Sequence, residues 1–128
     1  MERKKKKILV VDDEPHIVLL VSNRLKANNY DVVTASDGEE AIAVVDRENP
    51  DLVVLDLMLP KKNGYQVCED LKSNIRYSGL TVVMLTAKGE IDDMRGGFYR
   101  GADAYVNKPF KPEVLLGIIQ GLLGGSQQ

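Results

Sequence analysis

Cysteine occurs once in the 128 residues, at Cys68, so the chain can close no internal disulfide and offers no thiolate cluster for a metal. Histidine also occurs once, at His16. No G-x-x-x-x-G-K-[ST] loop and no G-x-G-x-x-G turn is present, which removes the usual phosphate-cradling turns of nucleotide enzymes. No apolar run approaches the roughly 20 residues that cross a bilayer. The opening MERKKKKILVVDDEP has a basic start, but its apolar run is only four residues long, Ile8 to Val11, before Asp12 and Asp13, too short for the hydrophobic region of a secretory signal. A net charge of −2 creates no overall field toward nucleic acid or a membrane surface. Together these absences point to a chain of the reducing cytoplasm that binds neither nucleic acid nor membrane directly.

What is present fits one globular domain. Hydrophobic residues make up 44% and charged residues 28% of the sequence. Apolar runs at 8–11, 31–35, 52–55, 81–85 and 104–106 read as strands, several of them continuous, as parallel strands covered on both faces should be. Helical stretches lie between them. Ile17, Leu20, Val21 and Leu25 share one helix face, with Pro15 in the first turn. Asp37 caps a second helix that carries Glu39 and Glu40 near its N-terminus. Gly64, Val67, Cys68 and Leu71 line a third; Leu115, Ile118, Ile119 and Leu122 line a fifth. The fourth, roughly 90–100, holds Gly96 and Gly97, each costing about 1 kcal/mol relative to alanine in a helix interior. The expected architecture is a single α/β domain over 1–128, a doubly wound five-stranded parallel sheet with five helices in the order 2-1-3-4-5. Its core spans about 7–123, with a basic tail at 1–6 and a flexible tail at 124–128.

In such sheets ligands bind beyond the carboxyl ends of the strands, where the winding reverses. The polar residues at those ends are Asp12 and Asp13 after strand one, Asp56 after strand three, Thr86 after strand four and Lys108 after strand five. Three carboxylates in one place need protons or a cation to relieve them. An oxygen-only set suits Mg²⁺, which lowers the cost of bringing an anionic phosphoryl group to a carboxylate. A carboxylate oxygen of Asp56 could then attack phosphorus, with Lys108 and Thr86 meeting the phosphoryl oxygens.

At this point ILVVDDEP, DLVVLDLMLPKKNG, VVMLTAK and GADAYVNKPF, in order and in register from Ile8 to Phe110, resemble the landmarks of response regulator receiver domains of two-component signalling, chemotaxis-regulator-like and single-domain. The resemblance covers nearly the whole chain and implies a flavodoxin-like fold. It implies that Asp56 is the phosphoacceptor and that Mg²⁺ is held by Asp13, Asp56 and the backbone carbonyl of Met58, with Asp12 acting through a coordinated water. It implies that Lys108 pairs with the phosphoryl group ahead of a cis bond to Pro109, and that Thr86 and Tyr105 form the switch. Lys88 falls where the family tunes the lifetime of the phosphoryl group. The implied donor is a sensor histidine kinase or phosphotransfer protein. The implied output, a domain or separate protein, meets the surface of helix four, strand five and helix five, from a monomer or a phosphorylation-dependent dimer. On this reading the chain is not an enzyme in the ordinary sense, since it catalyses only its own phosphorylation and dephosphorylation.

Plainer readings stand beside these. Asp13 or Glu14 could cap the first helix, which would leave Asp12 and Asp56 unexplained. Tyr105 could be a half-buried edge-strand aromatic, and Cys68 a small core residue. His16 reads as a solvated residue of a first helical turn, and residues 3–7 as a solvated basic tail. A Mg²⁺-dependent phosphatase with its nucleophile on strand one is a second function. That pattern wants an aspartate two residues after the nucleophile, and Asp12 is followed there by Glu14. A third is a receiver-like interaction module without phosphorylation, against which stands the full set of acids, threonine and lysine.

Overall fold

The computed structural model describes residues 5–87 and 101–124. Five strands, β1 (Lys7–Val11), β2 (Asp31–Ala35), β3 (Leu52–Asp56), β4 (Thr81–Ala87) and β5 (Ala104–Lys108), form one parallel sheet in the order β2-β1-β3-β4-β5. Four helices accompany them among the described residues: α1 (Pro15–Ala27), α2 (Gly38–Glu48), α3 (Gly64–Ser73) and α4 (Pro112–Leu122). The last corresponds to the fifth helix of the sequence pattern. The helix expected at 90–100, with Gly96 and Gly97, lies outside the described residues, as do Lys88, residues 1–4 and residues 125–128.

The sheet has a core on each face. Leu9, Val53, Val82 and Met84 pack with Ala41, Val44 and Val45 of α2 and Val67, Cys68 and Leu71 of α3. Ile8, Val10, Val54, Val83 and Leu85 pack with Val21 and Leu25 of α1 and Leu115 and Ile119 of α4. Alternate residues of one strand thus enter opposite cores, which is why β3 is buried at all five positions and reads as an unbroken apolar run. Burying a leucine or valine side chain in this way contributes roughly 1.5–3 kcal/mol.

Several local expectations change. Strands β3, β4 and β5 run on to include Asp56, Thr86 and Lys108, so the backbone that carries each of these side chains belongs to the sheet and not to a loop. Leu20 and Leu122, placed on apolar helix faces by spacing, are exposed, because each helix buries a narrower stripe than its sequence offers. Lys7 is not part of a solvated tail. It opens β1 half-buried, and its ammonium lies 3.0 Å from Glu48. Asp37 does cap α2, accepting from the Glu40 N–H at 2.8 Å. The residue before α1 is Glu14, and it makes no side-chain cap, so neither Asp13 nor Glu14 caps that helix.

Candidate functional site

Register builds the site. Val11 pairs with Leu55, so Asp12, just past the end of β1, and Asp56, the last residue of β3, stand side by side. Across β4 and β5, Thr86 pairs with Asn107 and Ala87 with Lys108. Carboxylate oxygens of Asp12, Asp13 and Asp56 all lie within 4.8 Å of one another, with Asp12 and Asp56 buried and Asp13 exposed. Lys108 reaches into this group. Its ammonium sits 3.1 Å from Asp12 Oδ2, 3.2 Å from Asp56 Oδ1 and 3.6 Å from Glu14.

The electrostatics follow from this crowding. Burial pushes the Asp56 carboxyl above the usual carboxylate range, and the charge of Asp12 adds to the rise. Lys108 and the backbone N–H of Met58 pull the other way without cancelling it. Burial alone would lower Lys108, but its pairing with Asp12 and Asp56 outweighs that and raises it above the ordinary lysine value.

One atom is left with spare capacity. Asp12 Oδ1 accepts from the Glu14 N–H at 2.9 Å, whereas Oδ2 is buried without a hydrogen bond of good angle, its contact with Lys108 being an ion pair by distance. Two buried carboxylates, one exposed carboxylate and a single half-buried ammonium form a set still short of positive charge. The donors are all oxygens, and one face is open through Asp13. That composition fits a hard, partly hydrated cation such as Mg²⁺.

The loop after β3 is fixed against the site. Leu57 N–H donates to Leu85 O at 2.9 Å, and Gly64 N–H donates to Leu57 O at 2.8 Å. A Cβ on Gly64 would lie 2.6 Å from the Asp56 carbonyl oxygen and 2.8 Å from Leu57 Cα, so only glycine lets α3 start this close. Asn63 and Gln66 close a reciprocal capping box there, at 3.0 and 2.9 Å. Met58, on the same loop, is exposed and presents its N–H to Asp56.

The remaining expected residues fall into place with less contact. Thr86 is fully buried, and its hydroxyl donates to Asn107 Oδ1 at 3.1 Å. Tyr105 is half-buried beside the α2–α3 core, its hydroxyl accepting from the Ala102 N–H at 3.4 Å. The bond from Lys108 to Pro109 is cis. His16 is largely exposed and Cys68 is buried, so neither belongs to the site. Asn107 is the residue that sequence reasoning passed over. Its signal was a polar side chain directly before Lys108 in an otherwise apolar strand.

Residues 8–120 match the sequence model of the family described as "Response regulator receiver domain". The chain is 50% identical over 123 residues to a probable transcriptional regulator, ycf27, of Cyanophora paradoxa, covering 96% of this chain and 50% of that protein. It spans about half the length of the curated relatives it matches. Among solved structures it resembles the BeF3-activated receiver domain of DrrB, from Thermotoga maritima, at 38% identity and a TM-score of 0.81, over 94% of this chain and 98% of that one. The receiver domain of sensor histidine kinase PA1611 from Pseudomonas aeruginosa, solved with magnesium in its active-site cleft, aligns at 26% identity and a TM-score of 0.85, over 95% and 100% of the two chains. Among the described residues, no helix is long and apolar enough to cross a membrane.

Proposed function

Because this chain belongs to the response regulator receiver domains, we propose that Asp56 is its phosphoacceptor and that the sheet edge around it performs Mg²⁺-dependent phosphoryl transfer. The observation that carries this reading is the convergence of Asp12, Asp13 and Asp56 on one point with Lys108 between the two buried acids.

Each residue has a task. An oxygen of the Asp56 carboxylate forms the new O–P bond as the bond from phosphorus to its leaving group breaks, either the imidazole nitrogen of a kinase phosphohistidine or the acyl oxygen of a small phosphodonor. The β3 ladder and the Gly64 contact hold that carboxylate still, so little orientation remains to be lost on reaction. Lys108 exchanges its contact with the Asp56 carboxylate for one with a phosphoryl oxygen, and the Thr86 hydroxyl donates to another. Asp13, Asp56 and the Met58 carbonyl would hold Mg²⁺, with Asp12 reaching it through water. The ion would supply charge neutralisation for the approaching phosphoryl group.

Thr86 moving toward the phosphoryl group, with Tyr105 turning inward behind it, would repack the surface made by β5 and α4. That surface would meet the output partner or a second copy of the chain. The longer relatives, named as transcriptional regulators, support a transcriptional output. The chain modifies only itself on this reading and turns over no separate substrate.

Incubation with Mg²⁺ and acetyl phosphate tests the proposal. Intact-mass spectrometry is expected to show one added phosphoryl group in the wild type and none in Asp56→Asn. Undiminished labelling of the variant would refute it.

A further inference from the structure

We propose that Asn107 is a positioning residue that holds the Thr86 hydroxyl on the β5 side and so opposes its transfer to a phosphoryl group on Asp56. The inference rests on the reading of Asp56 as phosphoacceptor and adds a residue to which no role has so far been given. Thr86 and Asn107 are direct partners in the β4–β5 register, so their side chains leave the same face of the sheet. The Thr86 hydroxyl donates to Asn107 Oδ1 at 3.1 Å.

A hydroxyl has a single proton to donate. Donation to Asn107 and donation to a phosphoryl oxygen therefore exclude one another. Threonine is branched at Cβ and occupies discrete χ1 wells, so exchange between the two acceptors is a jump between states. Thr86 is fully buried, and a buried hydroxyl that lost its acceptor without gaining another would be disfavoured. The resting chain thus has a defined place for the hydroxyl.

The two partners differ in how much they lose on release. Asn107 is exposed, so water replaces the threonine as soon as it leaves. A phosphoryl oxygen carries charge and accepts more strongly than a neutral amide carbonyl. The Asn107 contact is therefore strong enough to bias the unmodified protein and weak enough to yield on phosphorylation. Tyr105 lies two residues before Asn107 on the same face, so the hydroxyl's departure takes place beside the ring expected to follow it.

Beryllofluoride, the group present in the activated DrrB receiver, serves as the probe, with Mg²⁺ throughout. Its affinity is measured for the wild type, Asn107→Val, Thr86→Val and the double variant. Asn107→Val is expected to bind roughly two- to tenfold tighter, the size of one net hydrogen bond. In the Thr86→Val background the same substitution is expected to change nothing, since the hydroxyl it releases is gone. Asn107→Ala repeats the test without the added valine side chain, and thermal unfolding confirms that the variants are folded.

Tightening of equal size in both backgrounds would show a general effect on β5 and overturn the role of Asn107. So would unchanged or weaker binding by Asn107→Val in a protein that acetyl phosphate labels normally. A wild type that takes neither beryllofluoride nor a phosphoryl group would overturn the reading of Asp56 itself, and this inference with it.

Discussion

Asp56 is bonded into a parallel strand, packed below by two apolar layers, and still carries a charge that its surroundings only partly balance. Because its folded pKa is raised, the native state binds a proton more tightly than the unfolded chain does. Stability from this group is therefore greatest below the unfolded value of about 3.9 and falls as pH rises to and through the folded value. Asp56→Asn removes the charge and keeps the shape, so without Mg²⁺ it is expected to unfold a few degrees higher than wild type near neutral pH. The gain should shrink on acidification, as wild-type Asp56 takes up its proton; a gain independent of pH, read by thermal denaturation, would contradict this account. Lys108→Met should act in the opposite direction. It leaves two buried carboxylates without their ammonium, and the expected loss near neutral pH is about 2–4 kcal/mol in urea denaturation. At this scale the sequence was informative because acids, hydroxyl and amine stand at successive strand ends. It could not show the Thr86–Asn107 bond, which depends on cross-strand register, or the shared grip of Lys108 on Asp12 and Asp56.

The elements were legible where one physical signal dominated. β3 reads as buried on both faces because it is apolar at each position before Asp56, and α2 announces its start through Asp37. The strand ends were less clear. Polar residues at the ends of β3, β4 and β5 look like loop in a sequence, yet the ladder carries them because the site needs them rigid. The glycines of α3 and α4 make opposite predictions. Gly64→Ala would force backbone to move at 2.6–2.8 Å and is expected to cost about 1–3 kcal/mol and to slow labelling of Asp56, which it would displace. Gly121→Ala meets nothing within 4 Å on an exposed part of α4 and is expected to stabilise by up to about 1 kcal/mol with labelling unchanged. Denaturation midpoints and labelling rates of the two variants check both halves.

At the scale of the molecule, parallel strands and crossing helices gather residues from positions 12 to 108 at one edge. The strand order followed from strand–helix alternation and the resemblance together; spacing alone left the winding open. A ligand that binds only the folded sheet edge must stabilise the whole domain. Mg²⁺ is accordingly expected to raise the unfolding temperature of the wild type in a concentration-dependent way. Asp13→Ala, at an exposed position with little stability of its own to lose, should abolish the shift. An undiminished shift in that variant would place the cation elsewhere. The central claim, a phosphoryl group on the carboxylate of Asp56, can be read from the residue itself. Borohydride reduces an acyl phosphate at aspartate to homoserine, so the protein is treated with acetyl phosphate and Mg²⁺, reduced, digested and sequenced by mass spectrometry. The account predicts homoserine at position 56 and at no other aspartate; homoserine at position 12 or 13, with Asp56 intact, would contradict it.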